Sequence, residues 1–158
     1  MPRIEIDEEL SLDWDWYACD ELGNIGHFTT AGFRTLPESV KNDRDALAKL
    51  IEYFEGQPET SGFAVSPWAE EELRQSKGKL TRERYLKSFA AAAKRGLFSY
   101  DTELCSGTKI KYHQIAKPHS PLQVNELPAD IRALVSRTRS RLLFTSEEEI
   151  TEAETLTW

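Results

Sequence analysis

The chain is poor in the residues that most often declare chemistry. It holds two cysteines, Cys19 and Cys105, and three histidines, His27, His113 and His119, in 158 residues. Two cysteines make no disulfide framework and no four-cysteine zinc site. No pair of candidate ligands lies at a short zinc-ligand spacing on one element, so neither a metal nor a cofactor is expected. No apolar run approaches the ~20 residues that span a bilayer. The opening segment, Met1-Pro2-Arg3-Ile4-Glu5-Ile6-Asp7-Glu8-Glu9, is acidic and lacks the apolar centre of a secretory leader. The expectation is a cytoplasmic protein without membrane attachment. Phosphate-loop, G-x-G-x-x-G, H-E-x-x-H, G-x-S-x-G and C-x-x-C patterns are all missing. The common signatures of nucleotide, zinc-protease, serine-hydrolase and thiol-redox enzymes are thereby absent.

What is present is an ordinary globular composition with a skewed charge. Hydrophobic residues make up 39% and charged residues 30%, with 4 Trp, 5 Tyr and 7 Phe. A chain of this length buries about 70% of its unfolded surface, enough for one core. A single domain over residues 1–158, with acidic terminal segments, is the expected organisation. The formal net charge is −7. Residues 1–73 carry a net of −12, residues 74–141 a net of +10 and residues 142–158 a net of −5. Either the blocks compensate one another internally or they form a two-sided surface whose acidic side meets a basic protein partner. Nucleic acid is the less favoured partner. Arg137, Arg139 and Arg141 alternate, which on a helix places them on different faces, and the net charge repels phosphate at long range.

The pattern of residues predicts an α+β fold. Trp14 to Cys19 and Asn24 to Thr30 read as two strands joined by the turn Asp20-Glu21-Leu22-Gly23, with glycine at the left-handed position. Facing Asp20 with Asn24 sets Tyr17 opposite His27 and Trp16 opposite Phe28. Alternation then puts Trp14, Trp16, Ala18 and Phe28 on a core face. Asp15, Tyr17, Cys19, Ile25, His27 and Thr29 fall on a second face that reads as half-exposed. Asn42 or Asp43 caps a helix with Leu47, Leu50, Ile51 and Phe54 along one stripe. Ser66-Pro67 opens a second helix and Thr81 a third, in which Tyr85, Leu86, Phe89, Ala90 and Ala93 point inward. Leu97 to Leu104 and Lys109 to Ile115 form a second hairpin around Ser106-Gly107. Pro128 opens a fourth helix carrying Ile131, Leu134 and Val135. Arg141 to Thr145 reads as a last strand, and Ser146 as the cap of a short terminal helix. Two antiparallel hairpins forming one sheet, packed with about four helices, is the expected architecture.

His27 with Asp13 or Asp15 is the best acid–base candidate, because a carboxylate beside an imidazole orients it and favours its charged form. Asp15, Tyr17 and His27 serve equally as a polar patch for a partner. Cys19 reads as a small buried hydrophobe. Trp14, Trp16 and Trp68 read as core, with stacking of a ligand as the alternative.

Three stretches carry a resemblance. They are Trp14-x-Trp16-x-x-x-Asp20-x-x-Gly23-x-Ile25-x-x-Phe28-Thr29-Thr30-Ala31-Gly32-Phe33, Gly96-Leu97-Phe98-Ser99-Tyr100-Asp101, and Tyr112-x-x-Ile115-Ala116-x-Pro118-x-x-Pro121-Leu122. Together they resemble small acidic bacterial proteins that include immunity proteins of toxin–immunity systems. The resemblance implies a non-enzymatic protein that binds and blocks a toxin, and its motifs are structural, so no functional residue is carried over. The expected function is stoichiometric binding of a basic protein, with Asp13, Asp15, Glu21, His27, Glu147, Glu148 and Glu149 as partner-binding residues. The alternative is a small enzyme or ligand-binding domain using the His27 face of the first hairpin.

Overall fold

The computed structural model describes residues 2–30, 36–102, 111–146, 149–151 and 156–157. Its first hairpin follows directly from local chemistry. Strands β1 (Asp15–Cys19) and β2 (Ile25–Thr29) pair antiparallel with Trp16 opposite Phe28, Tyr17 opposite His27 and Cys19 opposite Ile25. The turn is held by Asp20, whose Oδ1 accepts from the backbone N–H groups of Leu22 (3.0 Å) and Asn24 (2.9 Å). Gly23 has φ +83°, a region that costs a side-chain-bearing residue energy and glycine little. The other carboxylate oxygen of Asp20 accepts from Phe144 N at 3.0 Å, tying the turn to a segment far along the chain.

Six α-helices are described: α1 (Ile6–Ser11), α2 (Glu38–Lys41), α3 (Arg44–Glu55), α4 (Pro67–Gln75), α5 (Arg82–Lys94) and α6 (Ala129–Val135). Asp43 caps α3 by accepting from Ala46 N (3.0 Å), and Ser66 caps α4 by accepting from Ala69 N (3.1 Å). Leu47, Leu50 and Phe54 of α3 are buried, as the stripe predicts. On α5 the buried residues are Leu86, Phe89, Ala92 and Ala93, so Ala92 rather than Ala90 faces inward. The remaining strands are β3 (Phe63–Val65), β4 (Phe98–Thr102), β5 (Lys111–Pro118), β6 (Arg139–Ser140), β7 (Glu149–Thr151) and β8 (Leu156–Thr157). They join one mixed sheet in the order β3-β5-β4-β2-β1-β6-β8, with β7 also on β5.

The expected α+β class is found, with differences in detail. The two hairpins are joined through a parallel β2–β4 pair, because the long helical excursion between them returns the chain to the same end of the sheet. The Ser106-Gly107 turn of the second hairpin lies outside the described residues. Residues 141–146 do not form a strand. Pairing occurs earlier, at Arg139–Ser140, and the following segment bends so that Phe144 enters the core. In place of a terminal helix, Glu149–Thr151 pairs with β5.

Both faces of the central sheet are covered. On one, Trp16, Phe28 and Tyr100 stack in succession across β1, β2 and β4, with ring centroids 4.3 and 4.9 Å apart. Tyr112 and Phe144 meet this stack edge-on or tilted, and Ile4 and Leu36 join the same cluster. Gly26 leaves room for the rings: a Cβ there would sit 2.8 Å from Phe28 and 2.9 Å from Phe144. On the other face, Tyr17 and Ile25 pack with Leu50 and Phe54 of α3, Ala92 of α5 and Ile131 and Val135 of α6. The face read as half-exposed is therefore a second core, because α3, α5 and α6 lie over it. Cys19 is 3% exposed, and burial pushes its thiol pKa up, so it stays a protonated, unreactive thiol.

Trp16 is fully buried, and Trp16→Ala leaves a large cavity at the centre of the ring stack. We expect a loss of about 3–5 kcal/mol in chemical denaturation; a midpoint unchanged from the parent would place the indole outside the core. Asp43 links the α3 cap to Arg137 (3.1 Å), and the Ala46 N–H followed by Arg137 holds its carboxyl below the usual range. Its contribution is present above the ordinary aspartate pKa and is lost as pH falls through the lowered one. Asp43→Ala is expected to cost about 1 kcal/mol at neutral pH, and the gap in melting temperature should close in acid.

Candidate functional site

The helices that cover the second face leave a gap above β2. α3 and α6 pack on β1, whereas α5 packs on β4 and β5. Between the end of α3 and α5 lies a cleft of about 310 Å³, lined by Asp15, Tyr17, His27, Phe54, Glu55, Ser88, Ala91, Ala92, Arg95 and Leu97. That volume is at the small end of the range for ligand sites.

His27 lies at the floor and is 4% exposed. A buried imidazole needs partners for both nitrogens. Nδ1 meets Ser99 Oγ at 2.8 Å, and Nε2 lies 3.4 Å from Asp15 Oδ1. Ser99 reaches His27 because the parallel β2–β4 register sets the two residues side by side. The sequence of serine, histidine and aspartate invites comparison with a nucleophile activated by a base. Ser99, however, is completely buried, so its hydroxyl meets no substrate in this arrangement. The chain of contacts orients a core histidine and fixes Asp15 at the mouth.

The polar row continues across the sheet. Asp15 pairs with Thr29, Thr29 Oγ1 donates to Asp101 Oδ1 at 2.9 Å, Asp101 pairs with His113, and His113 pairs with Glu149. Burial pushes the Asp101 carboxyl up from its ordinary value, against the hydrogen bonds from Thr29 and Thr102 N; the nearby Asp13 adds to the rise. His113 is buried under Trp68 of α4, with rings parallel and 4.1 Å apart.

The residues named from sequence are thus only partly brought together. Asp13 and Asp15 lie at the open end of the first hairpin, with Asp15 on the cleft and Asp13 exposed beside it. Glu21 is exposed at the opposite end, in the turn. Glu149 is exposed on β7 and pairs with Lys111 at 3.4 Å. Glu147 and Glu148 lie outside the described residues. The acids do not make one continuous patch among the described residues, because β1 separates Asp15 from Glu21 by its whole length.

Glu55, Arg95, Ser99 and Asp101 escape the sequence reading. Two of them carry a signal: Glu55 and Arg95 each stand immediately before the glycine that follows a helix, Gly56 and Gly96. A charged residue at that point sits where the helix leaves the sheet, and both helix ends border the cleft. Among the described residues no group of three or more His, Cys, Asp or Glu side chains could hold a metal ion, and no helix is long and apolar enough to cross a membrane. Compared with known proteins, the chain has no significant match to a family model, a curated protein or a solved structure.

Asp101 gives a test of the row. A carboxyl whose folded pKa is raised binds its proton more tightly in the folded state, so stability falls as pH rises through that range. Asp101→Asn keeps an oxygen for Thr29 and Thr102 N and removes the buried charge. Its melting temperature should exceed that of the parent increasingly as pH rises from about 3 to 7, with little difference in acid. A constant gap across that range would show that the Asp101 charge is not strained.

Proposed function

We propose that the chain is a non-enzymatic interaction protein that binds a basic protein partner stoichiometrically. The observation that supports this most is the cleft beside β2, lined by two carboxylates, Asp15 and Glu55, and one guanidinium, Arg95, above a floor in which Ser99, the hydroxyl hydrogen-bonded to the His27 imidazole, is sealed. Such a site is arranged to attract and hold charge rather than to transform a substrate. Asp13 extends the acidic character beyond the mouth. The resemblance to immunity-type proteins agrees with this reading, with a toxin as the partner and the cytoplasm as the place of action. The second reading is a small ligand-binding domain, favoured by the enclosure of the same cleft by Tyr17, His27 and Phe54.

The charge blocks identified in the sequence bear on the choice of partner. Ion pairs do cross between them, including Arg82 with Glu70 (2.7 Å) and Arg137 with Asp43 (3.1 Å). Others close within the first block, such as Lys41 with Glu9 (3.2 Å) and Arg3 with Glu38 (3.0 Å). Internal compensation is therefore local, and the cleft keeps an excess of acid. Arg84 and Lys87 are exposed on α5 and offer the surface that an anionic partner would use instead.

The test is affinity capture of the partner from the native cell extract, followed by association kinetics with the purified pair. Association should slow steeply between roughly 50 and 300 mM salt while dissociation changes less, as electrostatic steering requires. Reversing Asp13 and Asp15 to Lys should slow association; reversing Arg84 and Lys87 to Glu should not. A captured nucleic acid, or a protein partner indifferent to both sets, would overturn the proposal.

A further inference from the structure

Tyr17 is the unexplained member of the cleft. It is 3% exposed, its ring packs on Phe54 with centroids 4.6 Å apart, and its hydroxyl finds no hydrogen-bond partner among the described residues. The residue is mostly buried, but this oxygen is not sealed; it opens on the cleft that Tyr17 lines, where an incoming polar group can meet it. The charges that act on this hydroxyl are those of the cleft: Asp15, Glu55 and Arg95. Burial followed by the two carboxylates raises its pKa, so the phenol remains neutral, with oxygen lone pairs available to a donor.

We propose that the cleft is an anchor pocket for one cationic side chain, arginine or lysine, projected by a protein partner; this rests on the interaction reading above. The side chain enters between the ends of α3 and α5. Its charged head is met by Asp15 and Glu55, and one of its N–H groups donates to the Tyr17 hydroxyl. Its methylenes lie against Phe54, Ala91 and Ala92, which supply the apolar part of the lining. Arg95 is fixed by donation from Nε to the carbonyl of Gln57 at 2.9 Å, and its partly exposed guanidinium faces the carbonyl groups of the segment that carries the anchor. An acid-rich site over an aromatic wall suits a guanidinium particularly well, since that group accepts both ion pairing and stacking.

The experiment uses the full chain and capped amino acids as probes. N-acetyl-argininamide and N-acetyl-lysinamide are titrated into isotope-labelled protein and followed by amide chemical shifts, with N-acetyl-glutaminamide as the neutral control. Millimolar binding is expected, with shifts centred on residues 15, 17, 27, 55 and 95. Glu55→Gln, Asp15→Asn and Tyr17→Phe should each weaken it about tenfold, the cost of one hydrogen bond to a charged group. Glu55 is exposed at the end of α3, so Glu55→Gln decides the question if Tyr17→Phe does not fold. The anchor is overturned by equal binding of the neutral control, by shifts confined to other surfaces, or by no shift at tens of millimolar. It is also overturned if free glycine or alanine binds more tightly than the capped cations, which would assign the cleft to a small zwitterion. A cleft that ignores the cations while Asp13 and Asp15 reversal still slows association removes the anchor alone. Binding of the cations with no salt dependence in the partner's association removes the interaction reading alone.

Discussion

Everything in this fold is arranged around a strand that has no exposed side. All five residues of β2, Ile25 to Thr29, are buried, and the strand is paired on both edges. One face must therefore be filled by rings and the other by helices. Gly26 and Phe28 satisfy the first demand, since the missing side chain at one position admits Phe144 beside the ring at the other. The second face carries Ile25, His27 and Thr29, two of them polar, and burial of a polar group without partners is costly. Ser99 and Asp101 on the neighbouring strand answer that cost, one for His27 and one for Thr29. The parallel β2–β4 register is what brings both partners into place, so the joint between the two hairpins and the polar row are one constraint.

The cleft is a consequence of the same geometry. Helices pack over a sheet where apolar side chains receive them, and β1, through Tyr17, and β5, through Ile115 and Ala116, offer such positions. β2 offers an imidazole and a threonine hydroxyl. α3 and α5 accordingly settle to either side, and Glu55, the last residue of α3, and Arg95, the C-cap of α5, border the gap. Its chemistry is thus partly set by how helices end: a polar residue before each terminating glycine lies where the backbone turns away from the sheet and toward solvent. Catalytic resemblance in the row Ser99, His27 and Asp15 comes from the need to satisfy a buried histidine. The same contacts that would activate a nucleophile here lock it under the helices.

What the sequence discloses and what it withholds divide along the same line. The first hairpin is legible to the residue because Asp20, Gly23 and Asn24 specify one turn, and a turn fixes register. The α3 and α4 starts are legible because Asp43 and Ser66 are caps with a local partner three residues on. The burial of both faces is not legible: Tyr17, Cys19, Ile25 and His27 alternate with an apolar set, and a period of two reports which residues share a face, never what covers it. The parallel joint is likewise hidden, since it depends on where a crossover of four helices returns. Arg141 to Thr145 reads as a strand because Leu142, Leu143 and Phe144 are apolar, yet Asp20 captures the Phe144 amide and Gln114 donates to its carbonyl at 3.0 Å, diverting the backbone from a ladder. Of the site, Asp15 with His27 is within reach of sequence because the hairpin register alone makes them diagonal neighbours. Ser99, Asp101, Glu55 and Arg95 come from other elements and need the fold.

Charge segregation acquires a structural meaning from this arrangement. α4 and α5 carry a third of the basic block, Arg74, Arg82, Arg84, Lys87 and Lys94, and the exposed cations Arg84 and Lys87 lie on the helix that walls the cleft. Asp13, Asp15 and Glu55 stand across the gap from that wall. A strong field of one sign over the whole molecule is thereby avoided, while a sharp change of sign is kept at the cleft mouth. Field lines between opposite charges concentrate in a low-dielectric crevice and weaken over open surface. Under the proposed reading, the net negative charge of the chain steers a basic partner at long range. The crevice, where Tyr17 and Phe54 form one wall, adds discrimination at short range. That combination would favour binding in one orientation over indiscriminate capture of basic surfaces.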